Sequence, residues 1–233
     1  MKKLVFLIIT LILTPLLYIN AQQSSVDLIW HGEVYTPPFY KGRSLWSSQS
    51  QLKIVAIANI PNTNPRNLFY KWTKNSTVLG TVNGVGKNTI SINDPIFSKP
   101  QTIKVEVMSS DGAILGSSTV TLAPTKPSLL VYENNPLYGL MLHKEIGSQY
   151  NLENREITLS AFPLFFNVPN TKSSRLNYEW QTDVGVVGEG QSATYQIPEG
   201  LTGSSRVSIR IMNNDRITQD VRRSFLLKYD GIR

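Results

Sequence analysis

From residue 26 onward the sequence is written twice, and this duplication constrains the fold more than any other feature. Tyr70-Lys71-Trp72 and Tyr178-Glu179-Trp180 are the same Tyr-x-Trp, one in each half of the chain. Each is followed, eight residues after its Trp, by a glycine, Gly80 and Gly188. Upstream, the alternation Leu52, Ile54, Ala56 returns as Ile157, Leu159, Ala161. Downstream, Ile90 and Ile92 align with Tyr195 and Ile197, and Ile103, Val105, Val107 with Val207, Ile209, Ile211. Turn residues follow at Ser110-Asp111-Gly112 and Asn213-Asn214-Asp215, and both copies close on an apolar run, Val120 and Leu122 against Phe225 and Leu227. A self-similar period of this length marks a duplicated structural unit.

Within each copy the apolar residues alternate with polar ones over short runs, the period of a strand with one buried face. In Ile103-Lys104-Val105-Glu106-Val107 the two charges point to solvent, and Arg206-Val207-Ser208-Ile209-Arg210-Ile211 repeats the pattern. About seven such runs per ~100 residues, separated by turn signals, predict an immunoglobulin-like β-sandwich. The chain is therefore expected to be all-β. Two sandwiches, residues 22–123 and 128–233, would be joined by a linker over 124–127. Pro124 and Pro127 exclude a helix there and favour a stiff extended connection. The expected cores centre on Tyr70 and Trp72 in the first copy and Tyr178 and Trp180 in the second.

The paired Tyr-x-Trp strands, each with a polar turn after them, resemble the PKD and related Ig-like modules of bacterial secreted and cell-surface proteins. The resemblance spans roughly residues 26–123 and 128–229. Where such modules often carry a Gly-Asp-Gly-like turn after the Trp, this chain has Thr73-Lys74-Asn75-Ser76 and Gln181-Thr182-Asp183-Val184. The resemblance implies spacer, adhesion or scaffold roles and brings no catalytic residues with it.

The segment 1–21 reads as an address. Met1-Lys2-Lys3 is basic, Leu4 to Leu17 is apolar but for Pro15, and Ala21 suits a cleavage position. This is the three-part form of a secretory signal peptide, shorter than the ~20 residues of a membrane span. An uncleaved anchor is the alternative, and would be the chain's contact with a membrane. Export gives meaning to the absence of cysteine. There is no disulfide framework, no thiolate metal site and no cysteine for lipid attachment, so each sandwich must be held by its apolar core. The C-terminus carries no hydrophobic tail or sorting signal. The expected location is extracytoplasmic: cell envelope, periplasm or medium.

Charge narrows the partners. The formal net charge is +7, and loss of the signal's two lysines reduces it to +5. The basic residues are scattered, with Arg222-Arg223 the one adjacent arginine pair, whereas nucleic-acid binders gather theirs in a patch. No nucleic-acid partner is expected. Catalysis has little to stand on. His31 and His143 are the two histidines, and neither sits in a nucleophile or zinc motif. The acids show no pairing of the kind glycosidases use. Asp94, Asp111 and Asn213-Asn214-Asp215 lie in expected turns, without Asp-x-Asp calcium spacing. Gly84-Val85-Gly86-Lys87 precedes a strand, not the helix a phosphate loop needs. Asn75-Ser76-Thr77 is a formal glycosylation sequon, with no use expected behind a bacterial-type signal. No enzyme activity, cofactor or metal is expected.

Three apolar segments lie outside the strand pattern: residues 35–43, with Phe39 and Tyr40; residues 135–142, with Tyr138; and residues 162–169, with Phe165 and Phe166. They pack on their own domains or between them, or they form a partner surface, where aromatic residues are enriched. The expected function is a secreted, non-catalytic structural or interaction module of the bacterial cell envelope. It would act as a spacer, an adhesion element or an accessory to a surface assembly such as a pilus or secretion apparatus, and bind another envelope or surface protein. The alternative is a carbohydrate-binding module in which Trp46, Tyr40 or Tyr138 stack on a polysaccharide.

Overall fold

A computed structural model describes residues 24–183, 185–197 and 199–229. The expected signal segment, residues 1–21, lies outside them. The first domain contains β1 (Ser25–Glu33), β2 (Gln51–Asn59), β3 (Phe69–Lys74), β4 (Thr77–Val78), β5 (Gly84–Val85), β6 (Thr89–Asn93), β7 (Gln101–Met108) and β8 (Ile114–Leu122). The second contains β9 (Ser128–Asn135), β10 (Gly139–Glu145), β11 (Gln149–Asn151), β12 (Glu156–Leu164), β13 (Leu176–Thr182), β14 (Gly185–Gly188), β15 (Ser192–Gln196), β16 (Gly203–Asn213) and β17 (Asp220–Tyr229).

Each domain is two facing sheets. In the first, β1-β2-β6 faces β4-β3-β7-β8; in the second, β10-β9-β12-β15 faces β11-β17-β16-β13-β14. The order is that of an immunoglobulin-like sandwich: in the first domain the chain crosses from β2 to the facing sheet at β3, returns at β6 and crosses again at β7. The two copies also share a strand switch. β11 leaves the side of β9 and runs parallel to β17. In the first domain Ser47 makes the same parallel bridge to Thr125.

Alternation builds both cores. Along β7 Ile103, Val105 and Val107 are fully buried, and along β2 Leu52, Ile54 and Ala56 turn inward while Ile57 faces solvent. Two separate apolar clusters result, one around Trp72 and one around Trp180. Tyr70, Trp72 and Trp180 are fully buried and Tyr178 nearly so. The Tyr-x-Trp spacing has a polar reason as well as an apolar one. On a strand, residues i and i+2 share a face, so both rings enter the core and each tip must find a partner. Trp72 Nε1 donates to Lys87 O at 2.9 Å, and Trp180 Nε1 to Gly190 O at 2.9 Å. Tyr70 Oη donates to Pro65 O at 3.1 Å, and Tyr178 Oη to Thr171 O at 2.9 Å. Each motif thus pins the loop before its strand and the loop before the next strand of the opposite sheet. Where antibody domains pack this Trp on a disulfide, Trp72 shares its core with buried aliphatic residues of β2 and β7, among them Ile54 and Val105.

The register corrects one alignment. Ile90 and Ile92 face Ile54 and Leu52, while Ala193 and Tyr195 face Leu159 and Ile157. The counterparts of Ile90 and Ile92 are therefore Ala193 and Tyr195, and Ile197 lies past the strand end. The β3–β4 hairpin needs two left-handed residues, which Asn75 (φ 46°) and Ser76 (φ 68°) supply. The Asn75 amide is engaged internally, with Thr102 N and Gln101 Oε1. Arg223, of the adjacent arginine pair, donates to Leu129 O at 3.1 Å and to Ile146 O and Glu145, tying β17 to the facing sheet.

Candidate functional site

Two regions of the second domain are built from the segments outside the strand pattern: its junction with the first domain and its opposite end.

At the junction, the loop after β1 crosses to the second domain. Tyr35 N donates to Phe166 O at 2.8 Å and Phe165 N to Tyr35 O at 2.9 Å, a bridge between domains. Ser47 Oγ donates to Phe165 O at 2.6 Å. Gln219, fully buried, accepts from Asn167 N and Asn213 Nδ2, both at 2.8 Å, and donates to Ser48 O at 2.8 Å. Gln49 Oε1 accepts from Thr218 N and Oγ1. Gln49 (φ 56°) and Phe165 (φ 64°) both hold the left-handed conformation, which for these residue types persists where surrounding contacts fix it. The Phe39 ring meets Tyr132 and Phe162 edge-on at 5.6 and 5.0 Å, and Tyr40 meets Phe165 at 5.7 Å.

This placement corrects part of the expected partner surface. Phe166 is fully buried and Phe165 is 6 % exposed, and Phe39 and Tyr40 are half-buried against the second domain. Four of the five aromatic residues therefore serve the junction. The physical reason is complementarity: the Pro37-Pro38 loop of one domain and the β12 extension of the other cover each other's apolar surface. The sugar-stacking alternative loses Trp46, which is 1 % exposed and donates to Ser50 O.

Tyr138 lies elsewhere. The strand directions carry β9 away from the junction, so the β9–β10 turn sits at the far end of the second domain, with the β13–β14 and β15–β16 connections. Asn135 Oδ1 accepts from Leu137 N and Tyr138 N at 3.0 and 3.2 Å. Gly139 closes the turn at φ 72°, a value that suits glycine. The turn holds Leu137 and Tyr138 outward, 83 % and 77 % exposed, and Leu140 and Leu142 of β10 are also exposed. Three-dimensional placement, not composition, separates Tyr138 from the other four aromatics.

Beside this turn lies a cleft of about 260 Å³, lined by Glu133, Tyr138, His143, Lys144, Tyr150 and Glu153 among others. The Tyr150 hydroxyl donates to Glu133. Burial, and then the Glu133 carboxylate, push its pKa above the ordinary tyrosine value. Lys144 Nζ sits 4.6 Å from the Tyr150 ring centroid, a cation–π distance. His143 is on the exposed edge strand β10, and His31 is exposed on β1. Among the described residues no three His, Asp or Glu side chains are grouped as metal ligands. Asp111 and Asn213 accept from backbone N–H groups of their own turns. The residues that sequence reasoning missed are Gln49 and Gln219, polar side chains with no local motif.

No family model matches the sequence, and no curated protein matches it. Solved structures do resemble the fold, and they are tandem Ig-like and fibronectin-III-like arrays. The three N-terminal domains of the bacteriophage RB49 highly immunogenic outer capsid protein are 16 % identical, with TM-score 0.46, over 88 % of this chain and 59 % of that one. Fibronectin(III)-like modules of Clostridium thermocellum CbhA are 12 % identical, with TM-score 0.30, over 88 % of this chain and 95 % of that one. A putative membrane anchored protein from Corynebacterium diphtheriae is 11 % identical, with TM-score 0.32, over 91 % of this chain and 60 % of that one.

Proposed function

We propose that this protein is an exported, non-catalytic interaction module of the bacterial cell envelope, with the first domain as mount and the far end of the second as contact surface. The observation that carries this reading is the β9–β10 turn. Leu137 and Tyr138 are large apolar side chains, more than three-quarters exposed, and the Asn135 hydrogen bonds hold them outward on an ordered turn. An aromatic residue presented in this way loses little conformational entropy on binding and suits the centre of a protein interface. The hydrogen-bonded junction supports the reading, because a fixed angle between domains sets where the turn is presented. That geometry suits a role as spacer, adhesion element or accessory to a surface assembly. The signal-like N-terminus supports location outside the cytoplasm.

Site-specific photo-crosslinking tests the reading. A benzoylphenylalanine at position 138, in cells of the source organism, is expected to give a discrete adduct in the envelope fraction. The same probe at Val85, exposed on the first domain, is expected to give none. Absence of an adduct from position 138, or the same adducts from both positions, overturns it.

A further inference from the structure

Each domain brings one loop to the junction whose tip stays outside it. In the first domain this is the β6–β7 connection, residues 94–100. It leaves β6 where Asn93 faces Gln51 and enters β7 where Gln101 faces Leu122, just before the linker. In the second domain it is the β16–β17 turn, residues 214–219. Gln49 joins the bases of the two loops. Its N–H donates to Asp94 Oδ2 at 2.9 Å, and its Oε1 accepts from Thr218 N at 2.9 Å. Ser98 Oγ donates to the same Asp94 oxygen.

Both tips expose large apolar side chains. Phe97 is 84 % and Ile217 74 % exposed, and Ile96 is half-exposed. The loops are closed by their own hydrogen bonds, Gln101 Nε2 to Lys99 O at 3.0 Å and Gln219 N to Arg216 O at 2.8 Å. The apolar groups are therefore held out on ordered turns. Each tip also carries a cation, Lys99 or Arg216. Both are exposed, and neither has an acidic partner among the described residues. Asp215, next to Arg216, pairs instead with Arg175 at 3.3 Å. The internal repeat supplies a control. The counterpart loops, β15–β16 and β7–β8, lie at the ends away from the junction. They carry Glu199 and Asp111 and no lysine or arginine. Among these four loops, cations accompany exposed apolar tips where the domains meet and nowhere else.

Apolar side chains beside unpaired cations are complementary to a bilayer with anionic headgroups. The apolar groups enter the boundary between headgroups and acyl chains, while the cations meet phosphate. Two separate tips also suit a fluid surface, which closes around each, better than a rigid one. We propose that the two tips together attach the protein to the surface of an anionic phospholipid bilayer through Ile96, Phe97 and Ile217, with Lys99 and Arg216 on the phosphates. The junction makes this one site, because Gln49 ties the loop of one domain to that of the other. The attachment is separate from the β9–β10 turn and does not rest on a protein partner there.

Vesicle co-sedimentation tests the proposal on residues 22–233. These hold both domains and leave out the apolar segment 1–21, which would enter vesicles by itself. The protein is expected to sediment with phosphatidylglycerol vesicles and to stay in solution with phosphatidylcholine vesicles. Phe97→Ser is expected to weaken binding about tenfold, the effect of withdrawing one large apolar side chain. Lys99→Ala and Arg216→Ala are expected to weaken it about fivefold each. Ile217→Ser, in the other domain, is expected to weaken it about fivefold as well. Val85→Ser removes an exposed apolar side chain at the opposite end of the first domain and is expected to change nothing. All five positions are exposed, so the variants are expected to melt with the parent. The proposal falls if neither vesicle carries the protein down, or if both do so equally. It falls equally if Phe97→Ser and Ile217→Ser sediment like the parent, or if Val85→Ser loses as much as Phe97→Ser.

Discussion

Replacing Gln219 by Leu tests whether the junction is a structural bond between domains or a casual contact. Leucine keeps most of the side-chain volume, so the change removes hydrogen bonds without opening a large cavity. Three groups lose a partner: Asn213 Nδ2, Asn167 N–H and Ser48 C=O. Asn213 is 4 % exposed, so its amide is left unpaired away from water, at about 1–3 kcal/mol. Asn167 and Ser48 are half-buried, so water relieves part of their loss, and about 0.5–1 kcal/mol each is appropriate. The expected total is about 3 kcal/mol, of which the Ser48 bond, about 0.5–1 kcal/mol, crosses between the domains and the rest lies in the second domain's own junction loops. The assay is urea unfolding followed by both tryptophan fluorescence and far-UV circular dichroism, with hydrogen exchange at the Asn167 amide. The parent chain should unfold in one transition. Gln219→Leu should separate the domains' transitions and expose Asn167 N–H to exchange while leaving core amides protected. If the variant unfolds at the parent's urea midpoint, in one transition, and Asn167 stays protected, the junction argument is wrong.

Two further outcomes follow from the cores. Trp72→Ala and Trp180→Ala should each lower stability by about 3–5 kcal/mol as large core truncations, with Lys87 O or Gly190 O left unpaired; a melting temperature equal to the parent's for either refutes its core role. Alkaline pH should destabilise the second domain through Tyr178 and Tyr195, whose pKa values burial raises above the ordinary 10.0. A raised pKa means that the folded state holds the proton more tightly. Its contribution is complete below about pH 10 and is lost as pH rises through the folded-state value. Melting temperatures between pH 8 and pH 11 should fall less steeply above pH 10 in Tyr195→Phe than in the parent, and an unchanged slope counts against the burial argument.

The fold was legible because its signals are local and doubled. Alternation over a short run such as Ile103–Val107 states which side chains are buried without knowledge of the neighbouring strand. The Tyr-x-Trp repeat then aligned the copies. The junction was not legible. Gln49 and Gln219 belong to different domains and lie far apart in the chain. They carry no periodicity, and take their meaning from groups that the fold brings to them. The same holds for the aromatic segments. Phe39, Phe165 and Tyr138 look alike in sequence, yet the first two face a second apolar surface and the third faces solvent. The misalignment at Tyr195 has a physical source too. Alternation fixes which face a residue takes but not its register, and a shift of two preserves the pattern.

The two domains divide their labour along the line where the repeat breaks. What they share is the sandwich, the strand switch and the Tyr-x-Trp clamps, all of which concern stability. What they do not share is placed at the two ends of the second domain. The β1–β2 connection and the β12 extension exist in complementary forms, and each covers apolar surface on the other, so neither would be well buried in an isolated domain. The β9–β10 turn lies at the end away from the junction. In the first domain the connection equivalent to the β9–β10 turn is consumed in the junction. One and the same connection therefore has two uses: in the first copy it docks on the second domain, and in the second it presents Leu137 and Tyr138.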